Sequence, residues 1–541
     1  MRRNLEIPQG KRAPLYRFLE ILPGVISYGA IILLFVLSWL SPVLGAIYLF
    51  VIIASTLVKA VGVAYRTVQG YEVIKRAERV DWRSRMEDLE HPHDAYERLH
   101  DENSRSYHFE EHVENLKIMA AMGSEYPNPA KTLHAVIMTA YNEGKDVLLP
   151  SIKSVVDTTF PNERIIFVLA YEERGGEEME KTAKELAAEF KGVFKDFILA
   201  KHPANMPGEV IGKGPNLTYA GYKFAEYVEK KHLPVDNIIV TSLDSDNHMA
   251  KKYLDSVAYE FITHPNRQRL SYQPVSLFMN NIWDAPAPSR VIAVSNSFFN
   301  VISTMRPHTL RNFASHSQPF QALKAMDFWS KRTIVEDGHQ YWRSLFFFSG
   351  DYAVLPIRIP IYQDAVIDET FLKTVKAQFV QVRRWYYGAS DIAYVGSKLF
   401  VPHDRRIVSF WRLFPKFWRL LDGHITLAMM APIITFGAWV PMIMNVSSHT
   451  MVAYNLPNIV SIIETVAMIG LAITVLVSFR MLPPRPEKYR KGRGILMLLQ
   501  WILIPVTSIL YQSIAAFYAQ TRLLLGLYME KFDVTKKFVK K

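Results

Sequence analysis

Five long apolar stretches constrain the fold of this 541-residue chain more than any other feature. Crossing the core of a bilayer takes about 20 apolar residues in a helix. The stretches cover residues 21–40, 43–63, 425–444, 459–479 and 495–528. The sequence therefore predicts a multi-pass bundle of transmembrane helices, with a long polar segment, 65–404, between its two parts.

Two regions near the predicted membrane surface allow more than one interpretation. Residues 495–528 are too many for one ordinary crossing and too few for two, and Pro505 offers a break, so we expect a broken or re-entrant hairpin. Residues 407–421 mix Trp, Phe and Leu with Arg and Lys, which is typical of an interfacial helix. An ordinary amphipathic surface helix is the alternative there, because the internal Pro415 disfavours a helix.

The basic residues predict one orientation of the chain. The loop 445–458 has no Lys, Arg, Asp or Glu, whereas the loop 480–493 contains six Lys and Arg residues. By the positive-inside rule, the latter loop, the N-terminus and the central segment face the cytoplasm, in the cytoplasmic (plasma) membrane. The predicted domains are a tail and helical hairpin (1–64), a cytoplasmic domain (65–404), an interfacial helix (405–422), a membrane region (423–530) and a basic cytoplasmic tail (531–541).

Composition excludes several kinds of site. The chain has no cysteine, which rules out disulfides, a thiol nucleophile and a cysteine-based zinc site. Its 63 basic and 51 acidic residues give a net charge of +12. Such a balance suits nucleic acid or an anionic membrane face. Because the basic residues follow the predicted topology, and no basic-aromatic stripe accompanies the acids, we expect membrane lipids and no nucleic acid as partners.

The central segment has the alternating strand and helix pattern of an α/β domain. Apolar, β-branched runs at 135–139, 165–170, 194–200 and 238–241 predict strands, and amphipathic stretches between them predict helices. Met179, Ala183, Leu186 and Phe190 would share one helix face. This alternation predicts a mostly parallel sheet.

Two carboxylates, Asp244 and Asp246, follow the last of these strands. Open α/β sheets bind their ligands just beyond the carboxyl ends of the strands. Side chains two residues apart in an extended segment point to the same side, so both could reach one hard cation that neutralises a diphosphate. An ordinary turn is the alternative, since Asp and Ser are common turn formers.

A second acidic pair, Glu336 and Asp337, lies far along the chain on a separate segment. Sugar transfer in one inverting step needs one carboxylate to accept the proton of the acceptor hydroxyl, and Asp337 is a candidate for that general base. Capping of a turn is the alternative. Further on, Arg384 offers bidentate contacts to phosphate and Trp385 a flat wall, although a membrane-facing basic and aromatic helix would have the same composition.

Five short motifs in order resemble those of the membrane-embedded family-2 glycosyltransferases, the group that contains cellulose and hyaluronan synthases. They are Ala140-Tyr141-Asn142-Glu143, Lys213-Gly214, Asp244-Ser245-Asp246, Glu336-Asp337 and Gln381…Arg384-Trp385. The resemblance covers about residues 130–390 and the flanking membrane segments. The tail from Phe532 to Lys536 also resembles the F-x-V-T-x-K element of a cytoplasmic gating loop in cellulose synthases.

The resemblance implies a GT-A domain, which is an α/β, Rossmann-like fold, using a UDP- or GDP-sugar with Mg²⁺ or Mn²⁺. It implies Asp337 as the base with Glu336 beside it, and Asp244 and Asp246 as metal ligands. The implied contacts to the nucleotide-sugar are Ala140, Tyr141, Asn142, Glu143, Glu172, Lys213, Asp244, Gln381, Arg384 and Trp385. The acceptor would be a growing glycan or a lipid-linked molecule.

Three departures from the family pattern leave an alternative function open. An acidic turn usually follows the second strand and grips uracil, whereas this chain has Tyr171-Glu172-Glu173-Arg174-Gly175. His339 and Gln340 follow the second acidic pair where an acid is more usual, and His339 is interpreted either as an acceptor contact or as a packed histidine. Pro215 and Asn216 replace small residues. The alternative is a catalytically inactive membrane scaffold that keeps the fold and binds a partner.

Overall fold

The computed structural model describes residues 5–445, 451–490 and 492–533, and the chain begins with two long helices. Helix α1 covers Pro14–Leu40 and α2 covers Pro42–Arg79. Ser41 is extended between them, and its side chain accepts a hydrogen bond from Val43 at the start of α2. With 38 residues, α2 is longer than a bilayer core, and its last turns reach the central domain, where Ala77 is fully buried. The predicted boundary at residue 64 therefore falls inside a continuous helix.

Three helices then pack against the central domain: α3 (Trp82–Glu90), α4 (Pro92–Leu99) and α5 (Phe109–Met122). Their buried side chains, which include Trp82, Met86 and Leu116, join the core on one face of the sheet.

Eight strands form one mixed sheet. They are β1 (Leu133–Ala140), β2 (Ile165–Glu172), β3 (Asp196–His202), β4 (Ile238–Asp244), β5 (His248–Met249), β6 (Leu270–Leu277), β7 (His316–Pro319) and β8 (Ala353–Tyr362). Their order is β3-β2-β1-β4-β7-β6-β8-β5. The first four are parallel, as the sequence predicted, whereas β7 is antiparallel to β4 and to β6.

Helices cover both faces of the parallel half of the sheet. Those of the central domain are α6 (Lys145–Val156), α7 (Gly176–Glu189), α8 (Lys213–Lys230), α9 (Tyr253–Thr263), α10 (Ala287–Thr304), α11 (Phe320–Ala325), α12 (Glu336–Phe347), α13 (Phe371–Tyr386) and α14 (Ser390–Leu399). Val136 and Met138 of β1 face one core, while Ala135 and Ile137 face the other. The α/β fold class predicted from the sequence is confirmed, and the carboxyl ends of β1, β2 and β4 lie together at one edge of the sheet.

The remaining helices form the second apolar region. They are α15 (Phe410–Phe436), α16 (Val440–Met444), α17 (Met451–Met481), α18 (Arg493–Leu499), α19 (Ile504–Thr507) and α20 (Ile514–Leu525). The predicted interfacial stretch is the first half of α15 and not a separate helix, because the helix continues through Pro415. A single irregular helical segment replaces the hairpin expected over 495–528: 3₁₀ and π-helical turns follow one another around Pro505 with no reversal of the chain.

Four helical segments among the described residues are long and apolar enough to cross a membrane: 14–40, 42–79, 410–444 and 493–525. The fifth predicted span lies within α17. Segments flanking these helices contact the central domain, which places them on its side of the bundle. The Tyr394 hydroxyl donates to Leu5, the Trp283 indole donates to Pro483 at 3.1 Å, and the Phe532 N–H donates to Ile211 at 2.7 Å. Most of the basic tail, residues 534–541, lies outside the described residues.

Candidate active site

Four separate segments bring charged side chains together at the carboxyl end of β4. Asp244 is the last residue of β4, and Lys213 is the first residue of α8. Glu336 and Asp337 form the first turn of α12, and Arg384 lies in the last turn of α13. Asp244 and the pair Glu336 and Asp337, which the sequence predicted on two separate segments, are therefore close to one lysine.

Lys213 is the centre of this group. Its Nζ lies 2.5 Å from Asp244 Oδ1 and 3.6 Å from Glu336 Oε1. Burial alone lowers the pKa of the ammonium, but the charges of Asp244, Glu336 and Asp337 outweigh it and raise that pKa above its usual value. Lys213 is therefore a fixed positive charge surrounded by carboxylates.

Glu336 is the most buried acid of the site, with 4% of its side chain exposed. Burial raises its pKa to about 7, although the charge of Lys213 opposes the shift; the neighbouring charge of Asp337 adds to it. A carboxyl with this pKa changes its charge near neutral pH.

Asp337 is held by two main-chain N–H groups. Ala314 donates to Asp337 Oδ2 at 2.6 Å, and Gly338 donates to Oδ1 at 2.7 Å. Ala314 has a left-handed backbone with φ of 47°, which turns its N–H towards this carboxylate. Because Asp337 remains partly exposed, the fixed carboxylate can still meet a ligand.

Ser315 and His316, which directly follow Ala314, were not predicted as site residues from the sequence. Ser315 Oγ accepts hydrogen bonds from the main chain of Asp244 at 3.2 Å and from the side chain of Asn247 at 2.6 Å. His316 is buried in β7, and burial lowers its pKa to about 4, so its ring is neutral beside Lys213 and Asp337. Their segment is polar and lacks the apolar pattern of a buried strand. The sequence therefore contains no signal for them beyond a short run of polar residues, which the structure buries in β7.

The predicted nucleoside motif forms the loop after β1. Glu143 Oε2 accepts main-chain hydrogen bonds from Tyr141 at 2.7 Å and Asn142 at 3.2 Å, while its Oε1 accepts from the Ser245 hydroxyl at 3.2 Å. Ala140 ends the strand just before this loop, and its carbonyl accepts from Asn216 at 3.4 Å. Glu143 therefore joins the loop after β1 to the loop after β4.

The altered turn after β2 lies next to the same loop. Glu172 is buried and forms an ion pair with Arg174, whose guanidinium lies 5.3 Å from the centre of the Tyr141 ring. A Cβ on Gly175 would lie well inside 3.0 Å of the Tyr141 carbonyl, so the two turns are in direct contact. Because Glu172 is paired with Arg174, its carboxylate is already neutralised, and the pair lies next to the Tyr141 ring.

The residues of α13 reach the site unequally. Arg384 is close enough for the charges of Glu336, Asp244 and Asp337 to oppose the lowering of its pKa by burial. Its guanidinium donates to the Asp533 carbonyl at 2.7 Å and lies 3.8 Å from the centre of the Phe532 ring. Thus Phe532 and Asp533, the described end of the stretch that resembles F-x-V-T-x-K, contact Arg384 at the site directly.

Gln381 and Trp385 have other contacts. Gln381 accepts a hydrogen bond from Gln378 at 3.1 Å on the same helix. The Trp385 ring packs against Phe278, just after β6, with 6.0 Å between ring centres. Trp385 is half-buried.

Only part of the donor set predicted for a metal is gathered in one place. Asp246 lies close to His248, and its carbonyl accepts from Asn280 at 3.1 Å. Among the described residues, no three His, Asp or Glu side chains are arranged as a metal cluster. The carboxylates of Asp244, Glu336 and Asp337 nevertheless surround one cation, the Lys213 ammonium. Carboxylate oxygens are the donors that Mg²⁺ and Mn²⁺ prefer, so the chemistry of this group fits such an ion at Asp244.

His339 lies in the interior of the domain, between α12 and α14. It is fully buried, and its Nδ1 lies 2.6 Å from Asp391 Oδ1 on α14. The ring packs edge-on against Tyr394, with 64° between the ring planes and 4.4 Å between ring centres. The structure therefore supports the interpretation of His339 as a packed histidine that joins α12 to α14.

No protein-family model and no curated protein matches the sequence. The structure is similar to the mannosyltransferase PcManGT from Pyrobaculum calidifontis in complex with GDP-Man and Mn²⁺, with 11% identity and a TM-score of 0.40 over 70% of this chain and 86% of that chain. It is similar to S. aureus TarS 1–349 in complex with UDP-GlcNAc, with 12% identity and a TM-score of 0.36 over 73% of this chain and 92% of that chain. GalNAc-T7 with UDP, GalNAc and Mn²⁺ matches at 11% identity and a TM-score of 0.32, over 54% and 58% of the two chains.

Proposed function

We propose that this chain is an inverting glycosyltransferase at the cytoplasmic face of a membrane, which moves a sugar from a UDP- or GDP-sugar to a glycan or a lipid-linked acceptor. One observation carries the proposal: a lysine, an arginine and three carboxylates from four distant segments meet at the carboxyl end of β4. Open α/β sheets bind ligands at this edge. The four helical segments that are long and apolar enough to cross a membrane support a membrane-bound acceptor.

The cations of the site suit the diphosphate of the donor. Lys213 and Arg384 both have the charge that a departing nucleoside diphosphate needs, and Arg384 can hold phosphate oxygens in a bidentate way. The loop held by Glu143, together with Tyr141 and Asn142, would contact the nucleoside. Glu172 lies at the neighbouring turn. Gln381 and Trp385 of α13 would contact the diphosphate and the acceptor.

Transfer needs one base and one stabilised leaving group. The acceptor oxygen attacks the anomeric carbon while the bond from that carbon to the phosphate oxygen breaks, and its electron pair leaves with the diphosphate. Asp337 accepts the proton of the acceptor hydroxyl. The two N–H groups that fix Asp337 hold its carboxylate in one orientation, which is what a base in a single-step displacement requires.

A divalent cation would fit beside Asp244, and Asp246 is the second proposed ligand. When bound there, Mg²⁺ or Mn²⁺ would neutralise part of the diphosphate charge. Lys213 occupies the cationic position at Asp244 in this structure, so it would have to move towards the diphosphate or share the carboxylate.

The proposal is tested by donor turnover. The full chain in detergent is incubated with labelled UDP- and GDP-sugars and Mn²⁺, and release of the nucleoside diphosphate is measured. We expect turnover with at least one donor. Asp337→Asn should lower the rate by about 10²-fold or more while donor binding persists, because the base is lost and the site keeps its shape.

Asp351→Asn is the matched control, since Asp351 is an exposed acid paired with Arg269 on the surface. It should leave turnover unchanged. Full activity in Asp337→Asn would remove Asp337 as the base. Failure to bind or turn over any sugar nucleotide would favour the inactive scaffold instead.

A further inference from the structure

Four arginine side chains lie near one another where the membrane helices meet the central domain. They are Arg66 in α2, Arg306 and Arg311 between α10 and β7, and Arg419 in the first half of α15. We call them the arginine cluster. None of them belongs to the candidate active site described above.

Packing of α2 against the end of α10 brings Arg66 and Arg306 together. A Cβ on Gly70 would lie well inside 3.0 Å of Val301 Cγ1 and 3.3 Å from Met305 Cγ, so the two helices touch at this point. Arg66 is one turn before Gly70 on the same face of α2. Arg306 directly follows Met305.

An ion pair between α2 and α15 brings Arg419 to the same place. Lys59 Nζ lies 3.6 Å from Asp422 Oδ2. Arg419 precedes Asp422 by one turn on the same face of α15, and Arg66 follows Lys59 by two turns on α2. Asp422 is paired with Lys59 and forms no ion pair with any of the four arginines.

The cluster has positive charge without a matching acid. No carboxylate among the described residues lies within 4.0 Å of any of the four guanidinium groups. Arg306 Nε is buried with no hydrogen-bond partner. Burial lowers the pKa of Arg306, and the charges of Arg66 and Arg419 lower it further. Like charges held together without a carboxylate in direct contact are unfavourable, so an anion at this position would stabilise the fold.

Arg311 extends the cluster towards the interior. Its guanidinium lies 5.7 Å from the centre of the Trp342 ring and 6.0 Å from that of Phe313. Burial lowers the pKa of Arg311. The charge of Asp391 raises this pKa, and the charge of Arg419 lowers it further. Asp391 is already paired with the buried His339, so it does not neutralise Arg311 by direct contact.

The cluster lies at the level expected for lipid head groups. Trp411 and Trp418, on the same part of α15 as Arg419, are 82% and 58% exposed. Tyr65, next to Arg66, is 68% exposed. Exposed Trp and Tyr are typical of the boundary between membrane and water. Basic pockets between membrane helices on the cytoplasmic side bind anionic head groups.

We propose that the arginine cluster binds a phosphate or diphosphate carried by a membrane lipid. Guanidinium groups hold phosphate oxygens in a bidentate way, and the four positive charges are more than enough to neutralise one such group. The lipid would enter sideways from the bilayer between α2 and α15.

A short segment joins this site to the proposed base. Arg311 is three residues before Ala314, whose N–H donates to Asp337 at 2.6 Å. The segment between them is fixed, because Asn312 donates to Ser271 at 2.9 Å and Phe313 donates to Gln273 at 2.9 Å. A lipid phosphate held by Arg311 would therefore lie behind the loop that positions the base.

Binding is measured on the full chain in a neutral detergent, with no sugar nucleotide present. Four probes are compared: dodecyl phosphate, phosphatidylglycerol, zwitterionic phosphatidylcholine and inorganic pyrophosphate. We expect the first two to raise the thermal midpoint in a saturable way and the last two to have little effect. A preference for dodecyl phosphate indicates a lipid with a terminal phosphate, such as a lipid-linked acceptor, whereas equal binding indicates a bulk anionic phospholipid.

Substitutions locate the site. Arg306→Gln, Arg311→Gln and Arg419→Gln should each weaken lipid binding about tenfold, since each removes a charge-assisted contact. Arg306→Lys keeps the charge and should bind with intermediate strength. Arg405→Gln removes an equal charge from a side chain that is 78% exposed beside Asp404, and should bind like the wild type.

Three results would overturn the proposal: equal binding by the wild type and the glutamine variants, equal stabilisation by phosphatidylcholine, or tight binding of pyrophosphate alone. If Arg311→Gln lowers the thermal midpoint without lipid, the comparison rests on Arg419→Gln, because that side chain is exposed. The readout is independent of turnover. Its failure would leave the proposed sugar transfer untouched, and loss of activity in Asp337→Asn says nothing about the cluster.

Discussion

Replacing Gly214 with alanine tests whether the close packing of α8 against α12 positions the active-site charges. A Cβ at this position would lie well inside 3.0 Å of the main-chain oxygen of Ser330 and 3.1 Å from Glu336 Cβ. Ordinary contact begins at 3.4 Å, and a main-chain oxygen cannot rotate away, so the two segments must separate by about 1 Å. That shift would increase the distance between Lys213 and Glu336, whose charged atoms are now 3.6 Å apart.

The magnitude follows from that displacement. A misplacement of 1 Å in a catalytic group costs about 10²-fold in rate, and overpacking of this kind costs about 1–3 kcal/mol in stability. We therefore expect Gly214→Ala to lower donor turnover about 100-fold in the assay of nucleoside diphosphate release. The thermal midpoint, measured on the same samples, should fall by only a few degrees.

Two other glycines provide controls for this variant. Gly338 follows Asp337, and a Cβ there would meet nothing within 4 Å, so Gly338→Ala should keep full activity. Gly221 lies on the same helix as Gly214 but away from the site, and its Cβ would lie 2.5 Å from the Phe328 ring. Gly221→Ala should therefore lose stability and keep its rate per folded molecule. Wild-type kinetics in Gly214→Ala would refute the reasoning.

Two further predictions concern stability. Burial raises the pKa of Glu260 from 4.5 to about 7, so this carboxyl stays protonated to a higher pH in the native state than in the unfolded chain. As the pH rises from about 4.5 to 7, the free energy of unfolding should therefore fall by about 1–3 kcal/mol. Glu260→Gln should flatten this part of the profile of thermal midpoint against pH, and an unchanged slope would contradict the assignment. Asp391→Asn removes the carboxylate that is 2.6 Å from the buried His339 and should cost about 1–3 kcal/mol while donor affinity stays the same. An unchanged thermal midpoint would show that the pair is not stabilising.

The parallel half of the sheet could be predicted because its strands are apolar. Predicted strands at 135–139, 165–170 and 238–241 lie within β1, β2 and β4, and the predicted strand at 194–200 overlaps β3 with an offset of two residues. The other half could not be predicted in this way. β7, for instance, is the polar stretch His316–Pro319, which is stabilised by distant hydrogen bonds such as that between Ser317 and Thr241 at 2.7 Å.

The membrane helices were predicted by length and composition, but their breaks were not. Pro415 was expected to disfavour a helix, yet α15 continues through it, because Pro415 lies near its start and the carbonyl that it leaves unpaired belongs to Trp411, which is 82% exposed. Around Pro505 the backbone keeps helical dihedral angles and changes its hydrogen-bond spacing instead of reversing. Local composition does not distinguish these two responses to a proline.

The acids of the candidate site could be found from their order along the chain, whereas the groups that hold these acids in place could not. Asp244, Glu336 and Asp337 stood out as carboxylates next to predicted strands and turns. The N–H of Ala314, which fixes Asp337, belongs to the main chain and has no sequence signal. The contact of Lys213 with two of the acids depends on how α8 and α12 pack, which only the folded structure shows.

The most direct test of the central claim is the binding of sugar nucleotides to the cluster of Lys213, Asp244 and Arg384. Thermal stabilisation of the full chain by UDP- and GDP-sugars is measured with and without Mn²⁺, for the wild type and for Lys213→Met and Asp244→Asn. We predict that at least one nucleotide stabilises the wild type, more so with Mn²⁺, and that both variants lose about tenfold or more in affinity. Equal stabilisation of all three proteins, or of none, would contradict a donor site at the carboxyl end of β4.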